Sequence, residues 1–328
     1  DGTSSGKREK HPEACMDRAT FACSTAFFRD FGNSAPGALP GGHVDFIDKV
    51  DSFTYSDFFR DYLIPNHPCI FSAKFTEDWG SRKTWVTWDG KPNFEHLLQK
   101  FGEAVVPVAN CDVKEYNSNP KEQLPFKEFE DVYTTPVYFS SDWLNEYWDA
   151  VAVDDFRFVY MGPKGSWITT RSPGVVEDTI SINHNWVNGC NVAVMWCFLQ
   201  DELAAVQREI SQWKDPMDDW HLQCQLIMKS CTGIDYKEFY NFLKVIAENR
   251  ISILEKGLDE ESSSQNNSKA AISTLGMLHA VFDLKRTVKV LSSLSANEDF
   301  RKLDLSSLSP SPEALLQHLE SAIDTALL

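Results

Sequence analysis

The sequence predicts an α+β protein, with a strand-rich half to about residue 190 followed by an all-helical half. Three observations carry this. Residues 177–186 alternate with period two, Ile180 and Ile182 on one side and Thr179, Ser181, Asn183 and Asn185 on the other. From Asn191 onward the apolar spacing changes to that of amphipathic helices. Gly/Pro-rich or polar stretches, SAPGALPGGH and LDEESSSQNNSK, punctuate the chain. The polar face of 177–186, closed by Trp186, suits the inner wall of a barrel around a small polar ligand; a solvent-facing strand is the competing reading.

In chain order, residues 1–42 read as a flexible lead-in. No apolar signal core is present, and Met16-Asp17 reads as a more natural start, with 1–15 an upstream extension. Residues 43–50 predict a short strand. A helix follows from Thr54-Tyr55-Ser56-Asp57 to about Leu63, stopped by Pro65. Residues 67–73 predict a buried strand, and Trp79 and Trp85 sit in a loop-rich stretch. Helix 94–101 has an apolar face of Phe94, Leu97, Leu98 and Phe101 and ends at Gly102. Strand 104–109 contains Pro107, which points to an edge or bulge. A helical turn at 126–130, an extended piece at 137–139, a helix at 142–150 and a strand at 156–161 complete this half. The helical half comprises 192–199 and 201–213 as one long or kinked helix, then 220–231 closed by Gly233. A D-x-x-E capping box at Asp235–Glu238 opens a helix to about Lys256 with Tyr236, Phe239, Tyr240, Leu243 and Ile246 on its apolar face. A polar linker at 257–270 precedes helices 270–294 and 313–327. The expected parts are therefore 1–42 lead-in, 43–190 strand-rich domain, 191–256 helical region, 257–270 linker and 271–328 C-terminal helices.

Composition removes some function classes. The net charge is −17, so there is no basic surplus for direct nucleic-acid binding. No apolar run of about 18 residues predicts a membrane helix. The eight cysteines form no CxxC pair and read as reduced thiols of a cytoplasmic protein. The seven-residue spacings Cys190/Cys197 and Cys224/Cys231 read as core-facing helix positions. No phosphate-binding loop and no G-x-S-x-G elbow occurs.

Certain strings carry a resemblance. Pro68-Cys69-Ile70-Phe71, Trp79, Trp85, the Leu97/Leu98 helix ending Phe101-Gly102, and Val106-Pro107-Val108 resemble the opening of a Jumonji-C domain. Residues 158–166, FVYMGPKGS, resemble the strand before that family's metal motif, and 178–186, DTISINHNW, the strand after its last metal-ligand histidine. The resemblance covers nearly everything from Met16 onward. It implies a cupin-type (double-stranded β-helix) barrel binding Fe(II) and 2-oxoglutarate, and an activity that couples 2-oxoglutarate decarboxylation to protein hydroxylation. It also implies lysyl hydroxylation of the eukaryotic class-1 translation release factor, and dimerisation through helices after the barrel. Asn183 and Asn185 match positions that contact 2-oxoglutarate or line the iron pocket; inward asparagines bonding each other or water are the competing reading. Tyr160, Ser166, Trp167, Thr179 and Ser181 would line the pocket.

The family's His-x-Asp/Glu…His triad, which leaves iron positions open for co-substrate and oxygen, has no counterpart here. Only residues 168–176 separate Trp167 from Glu177, where the family carries roughly a hundred more residues, the span of several barrel strands. A shorter omission lies around 123–132. His43-Val44-Asp45 spells His-x-Asp, but ahead of the barrel; His184 points with Ile182 away from the asparagines; His221, His279 and His318 lie on tail helices. The expectation is thus an incomplete barrel followed by an all-helical C-terminal region: a hydroxylase lineage in which this chain is inactive. The alternatives are a non-catalytic binding or dimerisation module built on the C-terminal helices, and a chain whose open barrel edges prevent stable folding.

Overall fold

A computed structural model describes residues 16–21, 47–77, 79–103, 108–109, 121–122, 141–151, 186–259 and 276–327. Strand β1 (Asp48–Val50) leads into helix α1 (Tyr55–Phe58), which opens with a full capping box. Asp57 N donates to Thr54 Oγ1 (3.2 Å) and Thr54 N donates to Asp57 Oδ2 (3.3 Å). The helix continues as a wider π-type turn, Phe59–Leu63, and breaks at Pro65 as predicted.

β1 pairs in parallel with β2 (Cys69–Phe71), Asp48 opposite Cys69 and Val50 opposite Phe71. β2 is shorter than the predicted 67–73, because Pro68 has no N–H to give the ladder and Ser72 caps a 3-10 turn, Ala73–Thr76. It is also not a buried strand: Ile70 is 50% exposed. Where a loop was expected between Trp79 and Trp85, a single helical run α2 (Gly80–Thr84) forms, too short for any periodicity to reveal.

α3 (Phe94–Phe101) has the predicted bounds, with Asn93 Oδ1 accepting from His96 N (3.2 Å). β3 (Val108–Ala109), the end of the predicted 104–109 strand, pairs antiparallel with β4 (Lys121–Glu122). β4 escaped the sequence reading because Lys and Glu are poor strand formers. Among the described residues strand pairing amounts to these two ladders and an isolated antiparallel bridge between Val86 and Pro92, so they do not trace a barrel. The turn expected at 126–130 and the strands at 156–161 and 177–185 lie outside the described residues.

The helical half follows the sequence closely. α4 (Trp143–Val151) leads to α5 (Val192–Glu209), one continuous helix followed by a 3-10 turn, Ser211–Trp213. α6 (Trp220–Thr232) ends at Gly233, whose φ of 86° lets its N–H reach back to Lys229 O (2.7 Å). α7 (Tyr236–Asp259) opens with the predicted capping box: Glu238 N donates to Asp235 Oδ1 (2.8 Å) and Asp235 N to Glu238 Oε2 (3.3 Å). It runs past Lys256 into the first residues of the expected linker. α8 (Gly276–Ala296), the short α9 (Glu298–Arg301) and α10 (Pro312–Leu327) complete the fold.

All five predicted apolar-face residues of α7 are buried, and so are Phe242, Ala247 and Arg250, which makes α7 a central helix. α8 is central too, buried from His279 through Leu294 on several sides. The main core joins these helices to α5, α6 and α10, and takes Trp143 and Leu144 from α4. A second cluster packs Met16, Tyr55, Phe58, Phe59 and Ile64 onto Cys190 and Phe282. The cysteine spacings do not mark one inward face: Cys190 and Cys224 are buried, Cys197 is half-buried and Cys231 is exposed.

Candidate functional site

The sequence-predicted site residues Tyr160, Ser166, Trp167, Thr179, Ser181, Asn183 and Asn185 lie outside the described residues, as do His184 and His43-Val44-Asp45. The described chain resumes at Trp186, which donates from Nε1 to Ser141 O (2.7 Å) and stacks over Phe58 at 6.4 Å and 3°. Trp143 N donates to Val187 O (2.8 Å), and Asn191 Nδ2 donates to Trp186 O (3.0 Å). Asn188 and Asn191 then hold the turn into α5: Asn188 N donates to Asn191 Oδ1 (2.8 Å), and Cys190 N to Asn188 Oδ1 (2.9 Å).

This turn presses on α8 at Gly189. A Cβ there would lie 2.8 Å from Asp283 Oδ1 and 3.0 Å from a ring carbon of Phe282. Gly189→Ala is therefore expected to cost about 1–3 kcal/mol in a urea titration, the range of overpacked cores. An unchanged midpoint would show that the turn can move away from α8.

Behind the turn lies a buried polar string that the sequence reading missed. Tyr55 Oη and His279 Nε2 share a hydrogen bond of 2.8 Å, and His279 Nδ1 lies 3.3 Å from Asp283 Oδ2. Arg250 Nε donates to the same Asp283 oxygen (2.6 Å), and its two terminal nitrogens donate to Glu146 Oε2 and Oε1 (2.7 Å each). One guanidinium thus joins α7 to α8 and to α4, with the bidentate geometry that suits Arg rather than Lys. The available signals were an arginine on the buried stripe Leu243–Ile246–Ala247–Leu254, and a His–Asp pair four residues apart within an apolar helix.

Electrostatics follow the burial. Burial works to raise the Asp283 carboxyl, but His279 and Arg250 beside it outweigh this and hold it below the usual carboxylate range. Burial opposes the Arg250 charge, and Asp283 and Glu146 outweigh that in turn. Arg286, packed over the Phe282 ring at 5.1 Å, is pushed down to about 10 by burial, with Cys190 and Asp283 opposing. Burial raises the Cys190 thiol far from the thiolate form, so it is an inert packing residue.

A carboxylate depressed on folding stabilises the fold above its unfolded value of 3.8 and loses that contribution as pH falls through the folded value. Wild-type melting temperature should thus drop on acidification between about pH 5 and pH 3, and Asp283→Asn should be less stable at neutral pH with a shallower acid limb. Parallel acid limbs in the two proteins would remove Asp283 from this role.

This string does not suit an iron ion. His279 Nε2 is shared with Tyr55 Oη, and the Asp283 oxygen nearest Nδ1 is held by the Arg250 guanidinium. Among the described residues no group of three His, Cys, Asp or Glu side chains could hold a metal. An open cleft of about 670 Å³ lies between Phe53, Tyr62 and Phe75, with Asp51, Asp57 and Asp61 at its rim. Asp57 and Asp61 there are bridged by Arg60 at 3.0 and 2.7 Å. No helix of the described residues is long and apolar enough to cross a membrane.

Comparison with known proteins points elsewhere than this string. The chain is 61% identical over 425 aligned residues to the 2-oxoglutarate and iron-dependent oxygenase JMJD4 of Gallus gallus, covering 95% of this chain and 100% of that one. It is 40% identical to the protein of the same name in Homo sapiens, over 95% of this chain and 99% of the relative. The Danio rerio protein is 41% identical, over 94% and 100%. No family model and no solved structure matches the chain.

Proposed function

The chain belongs to the JMJD4 family of 2-oxoglutarate and iron-dependent oxygenases, and we propose that it is a member without the metal-holding segment, and itself non-catalytic. Fe(II) and 2-oxoglutarate are the cofactors of the family. One observation carries the proposal. The match to the Gallus gallus relative runs over 425 aligned positions, whereas this chain has 328 residues, so at least 97 positions of the alignment have no residue here. This agrees in size with the interval that the sequence leaves between Trp167 and Glu177, where the family's His-x-Asp and last His would stand. A facial triad supplies both the Lewis acid and the oxygen site, and no surrounding residue replaces it.

The lineage's activity is read as lysyl hydroxylation of the class-1 translation release factor in the cytoplasm, on the strength of the resemblance. The resemblance assigns Asn183 and Asn185 to the 2-oxoglutarate side of the family's pocket, and the metal ligands of that pocket are what this chain lacks. The expected result is that Fe(II) and 2-oxoglutarate give neither a thermal shift nor succinate, while the Gallus gallus relative, treated identically, gives both. Succinate formation by this chain would overturn the proposal.

The second reading is a binding or dimerisation module on the C-terminal helices. Its support is the exposure of Trp213, Leu222 and Leu226, 56%, 52% and 48%, on α6 and the turn before it.

A further inference from the structure

Residues 16–21 lie well ahead of β1 in the chain, yet they pack against both α1 and α8. Met16 is 2% exposed and Thr20 3%. Met16 belongs to the cluster that joins Tyr55 and Phe58 of α1, and Phe59 after them, to Phe282 of α8. Phe21 packs at the edge of this cluster and of the main core, and Lys285 of α8 holds its Nζ 5.5 Å from the centre of the Phe21 ring. Toward α1, Asp17 N donates to Ser56 Oγ (3.3 Å). The segment thus bridges the two helices. Its own fold is a single helical turn: Asp17 Oδ1 caps it by accepting from Thr20 N (2.7 Å), and Phe21 N donates to Asp17 O (3.0 Å). One turn fixes several backbone angles for one hydrogen bond and does not persist in isolation, so docking is what holds it.

We propose that Met16–Phe21 is a detachable strap, which closes the seam between α1 and α8 and keeps water from the Tyr55–His279 hydrogen bond inside it. That bond, 2.8 Å long, is flanked by Phe59, whose ring lies 5.5 Å from His279 and 5.0 Å from Phe282. Met16 completes the same cluster. A buried hydrogen bond is strong while its surroundings are dry and exchanges with water once they are wet, so the seal decides what the contact is worth. The strap is also built to open before the helices do. Asp17, Arg18 and Ala19 face solvent between the buried Met16 and Thr20. The turn is one helical repeat long, whereas α7 and α8 run for 24 and 21 residues through the core. Short, half-solvated elements open at lower free energy than core helices, so the strap can leave while the helical half stays folded.

Limited trypsin digestion and hydrogen exchange of the full chain test this. Met16→Asp places a carboxylate in the apolar cluster and should undock the strap. Cleavage after Arg18, amide exchange at 55–63 and exchange of the His279 ring C2 proton should each accelerate at least about tenfold, while amides 239–247 in α7 keep their wild-type rates. Ser56→Ala, which removes the acceptor of Asp17 N, is the milder second variant and should shift the same three readouts in the same direction. Faster cleavage at Arg18 with unchanged exchange at 55–63 and at His279 would overturn the proposal, because the segment then seals nothing. Matching acceleration at 239–247 in both variants would overturn it as well, because Met16 would then belong to the global core rather than to a strap.

Discussion

Arg250→Met is expected to destabilise the chain by about 3–5 kcal/mol, read from the urea midpoint. Arg250 is 1% exposed and joins Asp283, 0% exposed, to Glu146, 10% exposed. Removing the guanidinium leaves Glu146 without its counter-charge and Asp283 with His279 alone, and poorly compensated buried charge is what makes breaking a buried pair expensive. The companion variant separates this from simple loss of packing. Adding Glu146→Gln and Asp283→Asn to Arg250→Met removes the stranded charges and should recover part of the loss. A single-variant loss under about 1 kcal/mol would place the group in an effectively solvated site. The consequence reaches the segment before α5, because Glu146 lies on α4, near the Ser141 and Trp143 backbone groups that bond Trp186 and Val187.

Phe239→Ala should cost about 3–5 kcal/mol, the range for emptying an aromatic site in a close-packed core. Phe239 is fully buried, stacks on Trp196 at 5.5 Å and 6°, and lies 6.0 Å from Phe242. Thermal unfolding followed by circular dichroism would measure it. Phe94→Ala, the same truncation at a half-exposed position, should stay within about 0.5 kcal/mol. Comparable losses at the two positions would contradict the division into a filled helical core and an open N-terminal face.

The contrast between those phenylalanines also shows where local sequence suffices. Phe94 and Phe239 both occupy apolar stripes of helices whose positions the sequence predicted, from the apolar spacing and Gly102 in one case and from Asp235–Glu238 in the other. Periodicity and capping act within a few residues, so a linear reading reaches them. Which stripe is covered depends on other elements, and there the sequence was misleading: 67–73 read as a buried strand, and Ile70 is half exposed. The two-residue β4 and five-residue α2 were too short to leave a pattern. Asn183 and Asn185, read as pocket residues by resemblance, lie outside the described residues, which resume at Trp186.

What the sequence determined by itself is therefore the helical half, with its caps and inward faces, and the family, carried by strings such as DTISINHNW that need no fold to be recognised. What only the tertiary structure decided is the meeting of Tyr55 with His279, 224 positions apart, and of Arg250 with Asp283 and Glu146, 33 and 104 positions apart. A charged residue on an apolar stripe announces that a partner exists; its identity is set by helix packing, which brings distant positions together and leaves no local trace in the chain.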